Sequence, residues 1–297
     1  MVLSDLSRCS AASRHRADPQ AGSAPVASRW LLIEHPGPWA KKPMQTPPLL
    51  GPVGAAIEET CASFGGKVLL VRRPGRREPG DDATAWYAVD TIRRTWIRGF
   101  WRRSEDLLAA AHALGPPLSM SDEDADPMVL VCTHGVRDAC CAVRGRPIVA
   151  TLAKALPDQV WECTHLGGHR FAGTLLSLPD GACLGRLDPD TAVAAVTALR
   201  EDAVDATFLR GTTRFLPAVQ AAIVAVLGAH GRGGIDDLTP GLVEEDGDHT
   251  TVEVLGRGAM PGRTVVDVRA EALPDAPLSC GDKPKAHIAY RSEIRPS

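Results

Sequence analysis

The chain has 8 cysteines and 9 histidines, and seven of these residues stand in two short stretches, VCTHGVRDACCAVRG (131–145) and WECTHLGGHRFAG (161–173). Each stretch begins at the end of an apolar run with strand character, MVLVC (128–132) and QVWECT (159–164). Cys132 and Cys141 are spaced C-x8-C, and His165 and His169 are spaced H-x3-H with Gly167 and Gly168 between them. The glycines suit a backbone bent to aim both rings at one point. A fold that serves these residues as a set must bring two strand ends together.

The order of elements offers such a fold. WLLIE (30–34) is a strand stopped by HPGPW, where two prolines forbid ladder bonding. LGPVGAAIEETCASFG reads as a helix with a Gly-Gly stop, followed by strands KVLLV (67–71), AWYAV (85–89) and TWIRGFW (95–101). SEDLLAAAHALG reads as a helix capped by Ser104. An acidic, Pro-bounded linker, PPLSMSDEDADP (116–127), precedes a second pass: strand 128–132, helix PIVATLAKAL (147–156) and strand 159–164. FAGTLLSL and ACLGRL then flank the turn Pro179-Asp180-Gly181, and a helix capped by Asp190 closes the pass.

A βαβ unit followed by an antiparallel hairpin and a helix is the thioredoxin-like arrangement. The expected fold is therefore α/β (α+β), with two tandem thioredoxin-like units and a C-terminal extension. The expected ranges are an arm over 1–28, a unit without ligands over 29–118 and a ligand-bearing unit over 126–205. The extension, 206–297, holds RFLPAVQAAIVAVLGAHG as a helix, TTVEVLG and TVVDVRAEAL as a strand pair, and a last strand near the tail.

Composition narrows the function. Net charge is −3, with 33 basic and 36 acidic residues, so nothing points to nucleic acid or an anionic membrane surface. The N-terminal stretch has no apolar core of a secretory signal, and no apolar run is long enough to span a bilayer. A reducing cytoplasm is the expected compartment, where clustered cysteines read as ligands or redox groups rather than as disulfides. There is no C-x-x-C, no G-x-G-x-x-G after a strand and no Walker sequence, so thiol–disulfide exchange, nicotinamide, flavin and nucleotide binding lack signatures.

Two thiolates and two imidazoles suit a closed tetrahedral zinc site. They equally suit a [2Fe–2S] cluster with two cysteines on one iron and two histidines on the other. Zinc knuckles favour closer cysteines, and an eight-residue loop has room to wrap the larger unit. Cys140 competes with Cys141 for one ligand position, and Cys163 shares a strand face with His165, so both are alternates. The plainer reading of Cys140, Cys163, Cys183 and Cys61 is core packing. His134 reads as a loop histidine or as a donor behind the ligands, and Cys9 and Cys280 have no evident partner. A reactive thiol at Cys140 or Cys163, in an enzyme, is a further reading.

The segments WLLIEHPGPW, VCTHGVRDACCAVRGRP, WECTHLGGHRFAGTLLSLPDGACLGRLD and the late SCG resemble the sucrase/ferredoxin-like family. That resemblance implies a thioredoxin-like ferredoxin carrying a [2Fe–2S] cluster, with Cys132 and Cys141 on one iron and His165 and His169 on the other. It implies an electron carrier rather than an enzyme, served by a redox protein partner, either reductase or acceptor. It also favours Cys141 over Cys140. No pair of carboxylates suited to glycoside hydrolysis is recognisable, so sucrase activity is not expected. A zinc-stabilised protein-binding module is the alternative.

Overall fold

The computed structural model describes residues 7–49, 52–75, 84–115, 127–231 and 233–296. Its elements are α1 (Cys9–His15), β1 (Arg29–Glu34), α2 (Pro52–Ser63), β2 (Gly66–Arg72), β3 (Thr84–Asp90), β4 (Thr95–Trp101) and α3 (Asp106–His112). There follow β5 (Met128–Cys132), α4 (Ala139–Ala155), β6 (Val160–Cys163), β7 (Leu175–Leu178), β8 (Ala182–Leu184) and α5 (Pro189–Arg200). The last part holds β9 (Leu209–Thr212), α6 (Pro217–His230), β10 (Leu238–Asp246), β11 (His249–Gly256), β12 (Arg263–Ala276) and β13 (Lys285–Ile294). The class is mixed α and β, as expected.

Contacts divide the chain into two units that are not contiguous in sequence. The first comprises Ala27–Leu166 and Leu175–Gly181; the second comprises the described residues up to Val26, Gly167–Thr174 and the chain from Ala182 onward. The ranges expected from the sequence are contiguous, with an arm at 1–28; within that range Cys9, Ser10, Ala11 and Ser13 of α1 are buried. The acidic linker falls outside the described residues up to 126.

In the first unit the strands run β4-β3-β1-β2-β6-β5-β7. β1 and β2 are parallel neighbours with α2 between them in sequence, and β3 pairs antiparallel on the other side of β1. β5 and β6 repeat this around α4, with β7 antiparallel on the other side of β5. The two halves join where β2 meets β6 antiparallel, Val71 opposite Cys163 and Arg72 opposite Glu162. Helices α2 and α3 pack on the first half, and α4 packs on β5 and β6. β5 is buried along its whole length, as a central strand covered on both faces must be. The core around α2 and α3 gathers Leu31, Ile33, Ile57, Leu70, Trp101 and Leu107.

The second unit holds the antiparallel pair β8–β9 and an antiparallel meander, β10-β11-β12-β13, packed on α6. β11 and β12 alternate buried and exposed positions, the pattern of a sheet with one solvated face. β9 and β10 were not anticipated from the sequence.

Three helix starts differ from expectation. Helix α4 begins at Ala139, eight residues before Pro147, because Asp138 caps it by accepting from the Cys140 amide at 2.9 Å. Pro147 lies inside the helix and costs one backbone bond. Helix α5 is capped by Asp188, not Asp190, through a reciprocal box with Thr191. Helix α3 begins at Asp106, whose carboxylate accepts from the Arg102 and Arg103 amides, and its N-cap position is Glu105 rather than Ser104.

Candidate metal centre

Cys132 is the last residue of β5, and Cys141 lies in the first turn of α4. The loop between them is tightly held. The Gly135 amide donates to Thr133 O at 2.8 Å, and the Arg137 and Asp138 amides both donate to His134 O. The cap at Asp138 then sets the direction of the helix. A glycine lets the helix approach the strand end: a Cβ at Gly145 would lie 2.2 Å from Cys132 O.

β6 runs parallel to β5 with Cys163 in register with Cys132, so the two strand ends are level. Thr164 continues the direction of β6 by donating its amide to Leu70 O at 2.9 Å and accepting the Leu70 amide at 3.0 Å. His165 therefore emerges beside the Cys132 loop, at the carboxyl ends of parallel strands, where open α/β sheets place ligands.

The donor atoms of Cys132, Cys141 and His165 lie within 4.8 Å of one another. Cys141 Sγ is 3.7 Å from His165 Nδ1. Both cysteines are buried and His165 is half-buried. The bond that Cys141 donates holds the Cys132 thiol well below its ordinary value against the opposing effect of burial, and His165 adds to the lowering. The Cys141 thiol is pushed up in return, by that bond, by burial and by the neighbouring negative charge. A deprotonated sulfur is the form that ligates metal, and buried soft donors with an imidazole are a set that could hold a metal ion.

A second layer fixes this layer in place. Thr133 Oγ1 donates to Glu162 Oε2 at 2.9 Å, and Arg72 Nε donates to the same oxygen at 2.9 Å across the β2–β6 seam. The Arg72 guanidinium lies 4.2 Å from the centre of the Trp39 ring. His134 Nε2 donates to Ala40 O at 2.9 Å, and its ring meets Trp39 edge-on at 5.9 Å. Burial lowers the His134 pKa, against the opposing effect of its bond to Ala40. His134 thus anchors the loop to the 39–40 segment.

The alternates fall outside the group of three. Cys140 is fully buried at the start of α4, and Cys163 is fully buried in β6. Cys61 is a core residue of α2, its thiol pushed up to about 12 by burial. His169 belongs to the second unit, where it opens a short 3-10 turn, His169–Phe171, after Gly168 at φ +66. A Cβ at Gly168 would lie 2.4 Å from the Arg210 guanidinium. Arg210 is buried and donates to Gly167 O at 3.1 Å, to Ser23 Oγ at 3.0 Å and to Ser23 O.

Gly145, Glu162 and Arg210 were not singled out from the sequence. The start of α4 at Asp138 was legible in principle, since an aspartate two residues before Cys140 is a helix-capping signal. Among the described residues, no helix is long and apolar enough to cross a membrane. A family model described as Sucrase/ferredoxin-like matches residues 20–211. No curated protein and no solved structure matches the chain.

Proposed function

The chain belongs to the sucrase/ferredoxin-like family, and we propose that it carries single electrons on a [2Fe–2S] cluster. Cys132 and Cys141 would hold one iron and His165 and His169 the other. His169 enters on the H-x3-H spacing and the family resemblance. When bound, such a cluster supplies a one-electron couple whose potential is raised by imidazole ligation relative to an all-thiolate site.

The observation that carries this reading is the contrast within the donor group. Both sulfurs are buried, while His165 is half-buried and lines a surface cleft. A carrier needs its centre shielded from water, with one edge near a partner. The β5 and β6 ends position the donors, the Asp138 cap orients Cys141, and Glu162 holds the loop through Thr133.

One observation favours a second reading, a zinc-stabilised binding module. A tetrahedral zinc with thiolate and imidazole ligands would set sulfur and nitrogen about 3.6 Å apart, close to the 3.7 Å between Cys141 and His165. Anaerobic purification, a visible spectrum, and iron and sulfide assays separate the two. A red-brown protein bleached by dithionite, with about two irons and two sulfides per chain, is expected, and His165→Cys or His169→Cys should shift its spectrum. A colourless protein holding zinc and no sulfide would establish the second reading.

A further inference from the structure

The cleft that reaches His165 has a volume of about 530 Å³ and lies wholly within the first unit. It is lined by Lys41 and Lys42, by Glu58 and Ala62 of α2, by Lys67 of β2 and by Arg137 of the Cys132–Cys141 loop. Four cations and one carboxylate give this lining a charge of +3 (4 − 1), on a chain whose net charge is −3. The lining around His165 therefore carries a charge of opposite sign to that of the molecule as a whole.

The four basic side chains are exposed. Among the described residues no carboxylate pairs with Lys41, Lys42, Lys67 or Arg137, and burial of its stem lowers the Lys67 pKa with no acid to offset it. Val136, next to Arg137, is 66% exposed, an apolar spot at the edge of the basic rim. A pocket for a small anion would turn buried, convergent polar groups inward. Here the charges are solvated tips around a shallow mouth, the form that steers and orients a large partner.

We infer that the acidic face of a redox partner protein docks over this cleft, with its carboxylates on Lys41, Lys42, Lys67 and Arg137 and its nearest contact at His165. The inference names the partner for the electron-carrier reading and rests on it. A weak, salt-sensitive complex follows, as suits a carrier that must release its partner.

The test uses the full chain as purified, with hexaglutamate as the probe for an acidic protein face and calorimetry as the readout. Binding should weaken at least tenfold between low salt and roughly physiological salt, and equally in the double variant Lys67→Glu/Arg137→Glu. Lys154→Glu, an exposed charge on α4 outside the cleft, should leave it unchanged, and the circular dichroism of each variant should match the wild type. No binding, binding indifferent to the double variant, or citrate binding as tightly as the peptide would each overturn the docking surface.

This readout needs no metal, so a zinc protein that still binds the peptide would retain the surface and lose only the electron-carrier reading. In a coloured protein, hexacyanoferrate(III) provides the kinetic counterpart. It takes one electron from the reduced centre and becomes hexacyanoferrate(II). Its rate should fall as salt rises; a rate that rises, as net charge −3 alone dictates, would overturn the inference.

Discussion

Gly145 of α4 faces the Cys132 carbonyl so closely that a Cβ at that position would lie 2.2 Å from the oxygen. The oxygen belongs to the backbone and a Cβ position is fixed by the backbone, so no rotamer can relieve the contact. The helix must retreat from the strand end, and Cys141, one turn away, must retreat with it. Gly145→Ala should destabilise the protein by about 1–3 kcal/mol, the usual range for overpacking, and lower the metal bound per chain. Urea unfolding and metal analysis check this, with Arg146→Ala as the exposed control.

Asp138 sets where α4 begins and hence where Cys141 sits. Asp138→Ala should cost about 1 kcal/mol through loss of the cap to the Cys140 amide. Asp138→Asn retains an acceptor and should recover most of it. If both variants lose equal stability, the charge rather than the cap is what matters.

Arg210 is buried and ties Gly167 to Ser23 within the second unit. Arg210→Met should cost at least about 2 kcal/mol, since it strands the Gly167 and Ser23 groups that the guanidinium satisfies. It should also expose the 167–170 segment to limited proteolysis faster than global unfolding allows. Cleavage at the wild-type rate would show that the segment is held by other contacts.

Asp90 ends β3 and binds the turn into β4. Burial works to raise its carboxyl, but the Arg93 and Ile92 amides and the Arg93 guanidinium outweigh it and hold the group below its ordinary value of 3.8. The folded form is thus favoured above pH 3.8, and that contribution is lost as pH falls through the depressed folded value. Asp90→Asn should unfold at lower urea than wild type near neutrality, and the gap should close in acid. A gap constant with pH would remove Asp90 from the acid response.

The sequence by itself determined much of the local structure and named the candidate donor residues. Apolar runs ending in Cys132 and Cys163 are strands because buried parallel strands read as continuous hydrophobic stretches, and Pro and Gly punctuation placed most other elements within a few residues. Donor types and spacing pointed to a metal centre, and three of its four main candidates, Cys132, Cys141 and His165, come together in the structure. What tertiary structure alone decided lies in contacts between residues far apart in the chain. The β2–β6 seam, Thr133 on Glu162, the Gly145 approach and the lysines gathered around His165 follow from how strands pair edge to edge and helices pack on them. Cys9 and Cys280, 271 residues apart, place their sulfurs 3.7 Å from each other within the second unit. Local propensity carries no record of such pairings, because closing a long loop leaves no periodic signal in the residues that close it.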